Sequence, residues 1–440
     1  MKAYKIKQLP DSQKSVAINA LIMFIWWLAF NPGFYSADSF GVIEMVRNGD
    51  LSSEGTAIWA IAVRLLTLDG SHPEIATLVF SQIFAFSVTL FAHSLFKGKP
   101  AIWCSALLCL TPIVGAMGIT LWHDIPMTSG FLLVSTGVIR YVKKEQYATI
   151  LVVLGVTFSS FRYNGIATLL VSLLLLFFMF RSKRFISSVL ILIIFVGGLT
   201  SALDAKFSPA TQIQSDGAIN WMRYDLSCYA ASFDDDSFFL KEFKGKSDRL
   251  FWKSAEACTW FNQSEAFTKR PANLAENIPT AWLALALKEP LFVLTTHMKR
   301  HEYLNPLPFF GPPRVPFIHT TIEYPGQNIE FWNVELSEKL RIYPRIWNYF
   351  SYIFGYSGFW LIVLFLLAWR KRSAIYLGIG VLGLVLNSAL FVFAIIADAR
   401  FSLFVLIAAQ LILIGEFLSH LEKKWKPKGS FISSQNNEKQ

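Results

Sequence analysis

Apolar residues in this chain arrive in unbroken blocks rather than in the alternating or one-sided stripes of a soluble fold. Ile186 to Ala202 and Tyr376 to Ala397 contain no charged residue, and both are near the roughly 20 residues that a helix needs to cross a bilayer. The same pattern predicts spans near 15–30, 74–96, 101–119, 126–142, 147–160, 165–180, 185–203, 346–369, 373–396 and 401–420, the shortest being 147–160. The expected fold is an all-α polytopic membrane protein of about ten transmembrane helices. Residues 1–203 form an N-terminal membrane module of about seven spans and 346–420 a C-terminal module of about three, followed by a tail at 421–440.

The connections divide by size. One face receives a first loop at 31–72, short turns at 120–125, 159–164 and 397–400, and one large segment at 204–345. In the first loop, Asp38 to Arg47 and Ala57 to Leu68 read as short helices, the second with Ile58, Ile61, Ala62 and Leu65 at helical spacing. Such helices either lie in the membrane interface or pack on the large segment. Ala281 to His297 is apolar but is interrupted by Lys288, Glu289 and Pro290, so it is expected outside the bilayer as an interfacial helix.

Composition agrees with the pattern. Hydrophobic residues make up 54% of the 440 and charged residues only 16%, where a soluble domain averages about 25% charged. That excludes a soluble domain, and the abundance of Phe, Trp and aliphatic residues excludes disorder. The net charge of +10 is explained by sidedness. Twenty basic residues, among them Lys2, Lys5, Lys97, Arg140, Arg181, Arg370 and Lys423, fall on the short connections opposite the loops above, against four acidic ones. This is the positive-inside pattern, so both termini are expected in the cytoplasm and no nucleic-acid partner is expected. Val16 to Phe30 leads into Asn31-Pro32-Gly33 without a cleavage pattern, so it stays as the first span.

Of four cysteines, Cys104 and Cys109 sit in an apolar block, whereas Cys228 and Cys258 share the large outer segment. An oxidising exterior would allow a Cys228–Cys258 disulfide.

The spans themselves are nearly free of ionisable residues; His93 and Glu416 lie near their inner ends. Ion-coupled transport places such groups near the midplane, so their absence argues against it. Charges gather instead where spans meet the outer face: Asp38, Trp122-His123-Asp124, Phe161-Arg162-Tyr163-Asn164 and Asp398-Ala399-Arg400. A single charge at a loop end needs no explanation, but four connections bring theirs to one depth. Carboxylates take protons from hydroxyls or hold a divalent cation such as Mg or Mn, with Asp38 and Asp124 as its ligands here. Arginine forks neutralise a departing phosphate. That chemistry suits group transfer from a lipid-linked phosphate.

In these features the chain resembles the GT-C superfamily of polytopic membrane glycosyltransferases, which use lipid-phosphate-linked sugars on the extracytoplasmic face. The resemblance covers most of the chain in architecture and rests on short matches. It implies that Asp38, early in a long first outer loop with interfacial helices, is the catalytic base. It implies that His123-Asp124 in the second outer loop binds metal or acceptor, and that Arg162, then Arg400, meets the lipid phosphate, with Asn164 beside them. The chain departs from many bacterial relatives in lacking a His-Pro-Pro-like motif: the corresponding stretch reads Ser52-Ser53-Glu54-Gly55-Thr56-Ala57, and its only His-Pro is His72-Pro73.

The expected function is transfer of a sugar from a polyprenyl-phosphate carrier to a glycan or lipid-linked acceptor, such as an O-antigen, at the outer face of the cytoplasmic membrane. The alternatives are a transporter or flippase of lipid-linked glycan, and a polysaccharide polymerase or ligase. Asp234-Asp235-Asp236 reads as a solvated acidic run or a cation site, and Pro306 to Pro316 as a rigid loop covering the site or a plain connector. His297, Lys299, Arg300 and His301 read either as a charge cluster at a helix C-terminus or as contacts to an anionic group. No P-loop is present, which argues against direct nucleotide use.

Overall fold

The computed structural model describes residues 10–49, 51, 55–179, 183–207, 215–233, 238, 278–301, 304, 332–350, 354–393 and 399–425. Asp234 to Asp236, Cys258, Pro306 to Pro316 and Asp398 lie outside the described residues. Among those described, the architecture is all-α, with seventeen α-helices and one 3-10 turn.

Five helices are long and apolar enough to cross a membrane: α4 (Pro73–Leu95), α7 (Asp124–Val142), α10 (Lys183–Phe207), α16 (Ala374–Phe393) and α17 (Leu403–Trp425). A sixth candidate is the pair α12 (Ile278–Lys288) and α13 (Pro290–Arg300), bent by 107°. The break falls at Glu289-Pro290, because proline cannot donate the backbone hydrogen bond a continuous helix requires. The chain is thus a multi-pass membrane protein by helix hydropathy, with five to six candidate spans among the described residues where the sequence suggests about ten.

The difference has local causes. The apolar block at 101–119 divides: α5 (Lys99–Leu110) stops before Thr111-Pro112, and a four-residue helix, α6 (Gly115–Gly118), follows. The block at 346–369 divides as well, between α14 (Val334–Tyr349) and α15 (Ser357–Lys371). α5 and α8 (Ala148–Ser159) have 12 residues each, about 18 Å of helix, short of a hydrocarbon layer about 30 Å thick. α9 (Tyr163–Met179) and α1 (Asp11–Ala29) complete the bundle.

One hydrophobic core joins these helices, and α7 runs through its middle. It lies against α8 backbone to backbone. A methyl group on Gly130 would come within 2.5 Å of the Gly155 carbonyl oxygen, and one on Gly155 within 2.7 Å of the Gly130 oxygen. Small residues allow this approach where side chains would hold helices apart. Other faces are bare and apolar, with Ile191, Ile194 and Phe195 on α10 and Leu21 and Ile25 on α1 exposed. On helices this hydrophobic, such faces fit a lipid bilayer.

Two short helices occupy one end of the bundle, α2 (Ala37–Arg47) and α3 (Ala57–Leu66). α3 packs on α2, α4 and α10. Its buried side is Ala57, Trp59, Ala60 and Val63, not the Ile58–Ile61–Leu65 side that spacing alone favours. Trp59 makes the difference by lodging against Phe80 and Phe161. α11 (Ser215–Ser232) packs with α12, α13 and α16.

A branched side chain at the α7–α8 contact has nowhere to go. Gly155→Val should therefore destabilise the fold by about 1–3 kcal/mol, read as a lower Tm in detergent; an unchanged Tm would mean that α7 and α8 do not touch there.

Candidate functional site

The starts of α2, α7 and α9 and the 3-10 turn Ala399–Ser402 before α17 meet at the α2–α3 end of the bundle. Phe34 and Thr120 form a single parallel bridge, in which Leu121 donates to the Phe34 carbonyl at 3.2 Å. This holds the two connections side by side. Ser39 accepts from the Ser36 amide at 3.1 Å and donates to the Leu121 carbonyl at 2.9 Å, fixing the first turn of α2. The Trp122 indole donates to the Ser36 hydroxyl at 2.7 Å. Asp38 is thereby set in the first turn of α2 and Asp124 in the first turn of α7, where helix dipoles favour a negative charge.

Arg400 joins them. Its terminal nitrogen lies 2.5 Å from Asp38 and its Nε lies 3.8 Å from Asp124, while the guanidinium sits 4.5 Å above the Trp122 ring. Arg162 pairs with the other oxygen of Asp124. His123 Nε2 is 4.0 Å from Asp124, and its ring meets Trp59 edge-on. Four residues from four separate connections thus form one network of two carboxylates and two guanidinium groups. Asp124 is almost fully enclosed at 1% side-chain exposure and Arg400 is at 9%, but Asp38 is at 38% and forms the open edge.

Electrostatics follow from this packing. Burial pushes the Asp38 carboxyl up, but Arg400, helped by His123 and Arg162, outweighs it and holds the group below the usual carboxylate range. Burial, then the Arg162 and Arg400 charges, drive His123 well below the usual imidazole range against the pull of Asp38. At neutral pH His123 is therefore an uncharged ring that can accept or donate one hydrogen bond.

The remaining candidates fall outside the network. Asn164 is in the first turn of α9 and keeps a buried side-chain oxygen without a hydrogen-bond partner. His72 precedes α4 and pairs with Glu74 at 2.9 Å. Cys228 is disulfide-bonded, and Cys258 lies outside the described residues. Among the described residues no three His, Cys, Asp or Glu side chains form a metal-binding group, and Asp38 and Asp124 both face guanidinium groups.

A second polar cluster surrounds Asp225 of α11. Its carboxylate lies 2.7 Å from the Trp282 indole nitrogen, 2.8 Å from His297 Nε2 and 3.0 Å from Arg300. The other His297 nitrogen meets the Phe391 carbonyl of α16 at 2.7 Å. His297, Arg300 and His301 are therefore buried rather than displayed at a helix end. Asp225 carried no sequence signal, because its partners lie 57 and 72 residues away. Trp122 was legible only as a neighbour of Asp124.

No family model, curated protein or solved structure matches the chain.

The Asp38–Arg400 contact has a consequence for stability. A carboxylate with a lowered folded pKa stabilises the protein above its unfolded value of about 3.9, and the contribution is lost as pH falls through the folded value. Wild-type Tm should therefore fall on acidification below about pH 4, and Asp38→Asn should show a shallower fall. Parallel Tm profiles would mean that the pair contributes nothing.

Proposed function

We propose that this protein is an inverting glycosyltransferase of the cytoplasmic membrane, moving a sugar from a polyprenyl-phosphate carrier to a glycan or lipid-linked acceptor on the outer face. The observation that carries this reading is the convergence of Asp38, Asp124, Arg162 and Arg400 at one end of an apolar bundle. A lipid phosphate fits that place, with its chain among bare apolar helices and its head at the charged rim.

In the proposed reaction Asp38, the most open of the four, takes the proton of the acceptor hydroxyl as its oxygen attacks the anomeric carbon. The bond from that carbon to the phosphate oxygen breaks on the opposite face, and the electron pair leaves with the phosphate. Arg400 and Arg162 neutralise the departing group. Asp124 touches both arginines and acts through them as a positioning residue. His123, neutral and partly exposed, supplies a hydrogen bond to a sugar or acceptor hydroxyl. No step is routed through a metal ion; in the free site Asp38 faces Arg400 and Asp124 faces Arg162.

The rival reading, movement of a lipid-linked glycan between leaflets, requires a polar path through the bundle. The cavity between α7, α9 and α16 instead has chiefly apolar walls, among them Val134, Val138, Leu169, Leu173, Ile379 and Leu382. That cavity offers a lipid-linked headgroup no polar path.

The test is sugar transfer from a synthetic polyprenyl-phosphate sugar in proteoliposomes. Wild type should release polyprenyl phosphate, and Asp38→Asn should lose at least about a hundredfold in rate, the lower end of general-base contributions. Near-normal turnover in the variant would sink Asp38 as the base. Movement of labelled lipid between leaflets, with no release by wild type, would transfer the assignment to a flippase. Transfer should also persist in excess EDTA, and loss of activity restored by Mg or Mn would put a cation back at Asp38 and Asp124.

A further inference from the structure

Both arginines that the proposed reaction needs already hold carboxylates. Arg400 lies against Asp38 and near Asp124, and Arg162 pairs with Asp124. In this arrangement the phosphate meets guanidinium groups that already carry carboxylate partners, and Asp38 is a poor base because a cation stabilises its charged form.

One rearrangement resolves both problems. We propose that the lipid phosphate exchanges with Asp38 for Arg400, so that binding the donor releases the carboxylate that takes the acceptor's proton. The phosphate's identity as a sugar carrier rests on the glycosyl-transfer reading, but the exchange itself requires only a lipid bearing a phosphate.

The geometry favours Arg400 as the group that changes partners. Its guanidinium is backed by Trp122 at 4.5 Å, and its Nε is directed to Asp124 at 3.8 Å, so the ring face and inner edge are anchored. The edge on Asp38 points to the open side, where Asp38 itself is the exposed partner. The donor's phosphodiester offers two non-bridging oxygens to the planar fork, a geometry that arginine binds bidentately. Asp38 can leave by side-chain rotation alone, since Ser36 and Ser39 keep the first turn of α2 in place. Four groups then face the released carboxylate: neutral His123, Arg162 and Asp124 from the α7 and α9 starts, and Arg400 now neutralised by phosphate. Asp38 consequently becomes more basic when the donor is bound, without any proton entering or leaving at the exchange step.

Competition of this kind makes an unusual prediction. Removing the Asp38 charge should abolish transfer and yet strengthen phosphate binding. With detergent-solubilised full-length protein, the affinity for a short-chain polyprenyl monophosphate, measured against the parent polyprenol, should rise about tenfold in Asp38→Asn. It should fall by a similar factor in Arg400→Gln, and Asp38→Asn should add nothing on the Arg400→Gln background. Inorganic phosphate is the second probe. A gain with both probes assigns the exchange to phosphate at large, and a gain with the lipid alone assigns it to a lipid headgroup; either supports the exchange. Unchanged or weaker binding in Asp38→Asn overturns it, even where wild type is an active transferase. Tighter binding with no transfer by wild type leaves the exchange standing and removes the transferase reading. Should Asp38→Asn fail to fold, Asp38→Ser carries the same test.

A wild-type measurement needs no variant. The acid limb of kcat reports the donor complex and that of kcat/KM for the donor reports the free enzyme. The first should lie at higher pH by about one unit or more, the size of shift a lost charge partner produces. Coincident limbs overturn the exchange.

Discussion

Two aspartates and two arginines can be buried at the end of this bundle only together. Asp124, enclosed between helices, would be an uncompensated charge without Arg162 and Arg400, a situation that typically costs about 3–5 kcal/mol. Arg400 in turn reaches Asp38 on a helix separated from it by most of the chain. The ion network therefore acts as a fastener. It brings the first connection, the α6–α7 turn, the α8–α9 turn and the approach to α17 to one point, although hydrophobic packing alone would leave their rotation about the bundle axis loosely defined. Stability and the candidate chemistry rest on the same four side chains.

The convergence was visible in the sequence for a geometric reason. A turn of a few residues between two apolar helices cannot wander in depth, so a charge placed there has only its lateral position undecided. The helix count was less legible. Hydropathy windows pass over Thr111-Pro112, where the regular helix is interrupted while apolar residues continue, and run the end of α14 into α15. The face of α3 was misjudged for a related reason: Trp59 and Val63 are as apolar as Ile58 and Ile61, and only the tertiary neighbours Phe80 and Phe161 decide between them. Asp225 was invisible because nothing near it in sequence shares its environment.

The Asp225 cluster gives α16 a different kind of anchor. His297 joins a carboxylate on α11 to the Phe391 carbonyl of α16, and Trp282 of α12 meets the same carboxylate. The helices that follow α10 are thus attached by directed polar contacts beside the membrane helix that leads toward Arg400. At the opposite end of the bundle, Glu416 receives Lys371 at 2.5 Å and Tyr376 at 2.7 Å, so α15, α16 and α17 are tied there as well.

The glycine contact between α7 and α8 bears on how the molecule can move. Side chains that interdigitate can slide by changing rotamers, but two backbones pressed together at Gly130 and Gly155 have no rotamers to change. α7 and α8 therefore behave as a single stiff body that carries Asp124 at one corner and, through the adjoining turn, Arg162 at another. Any widening of the rim to admit a bulky substrate must come from the other side, where α2 and α3 are held by side-chain contacts. The stationary half of the site would then be the Asp124–Arg162 pair with Arg400 against it, and the half that yields would be the one holding Asp38.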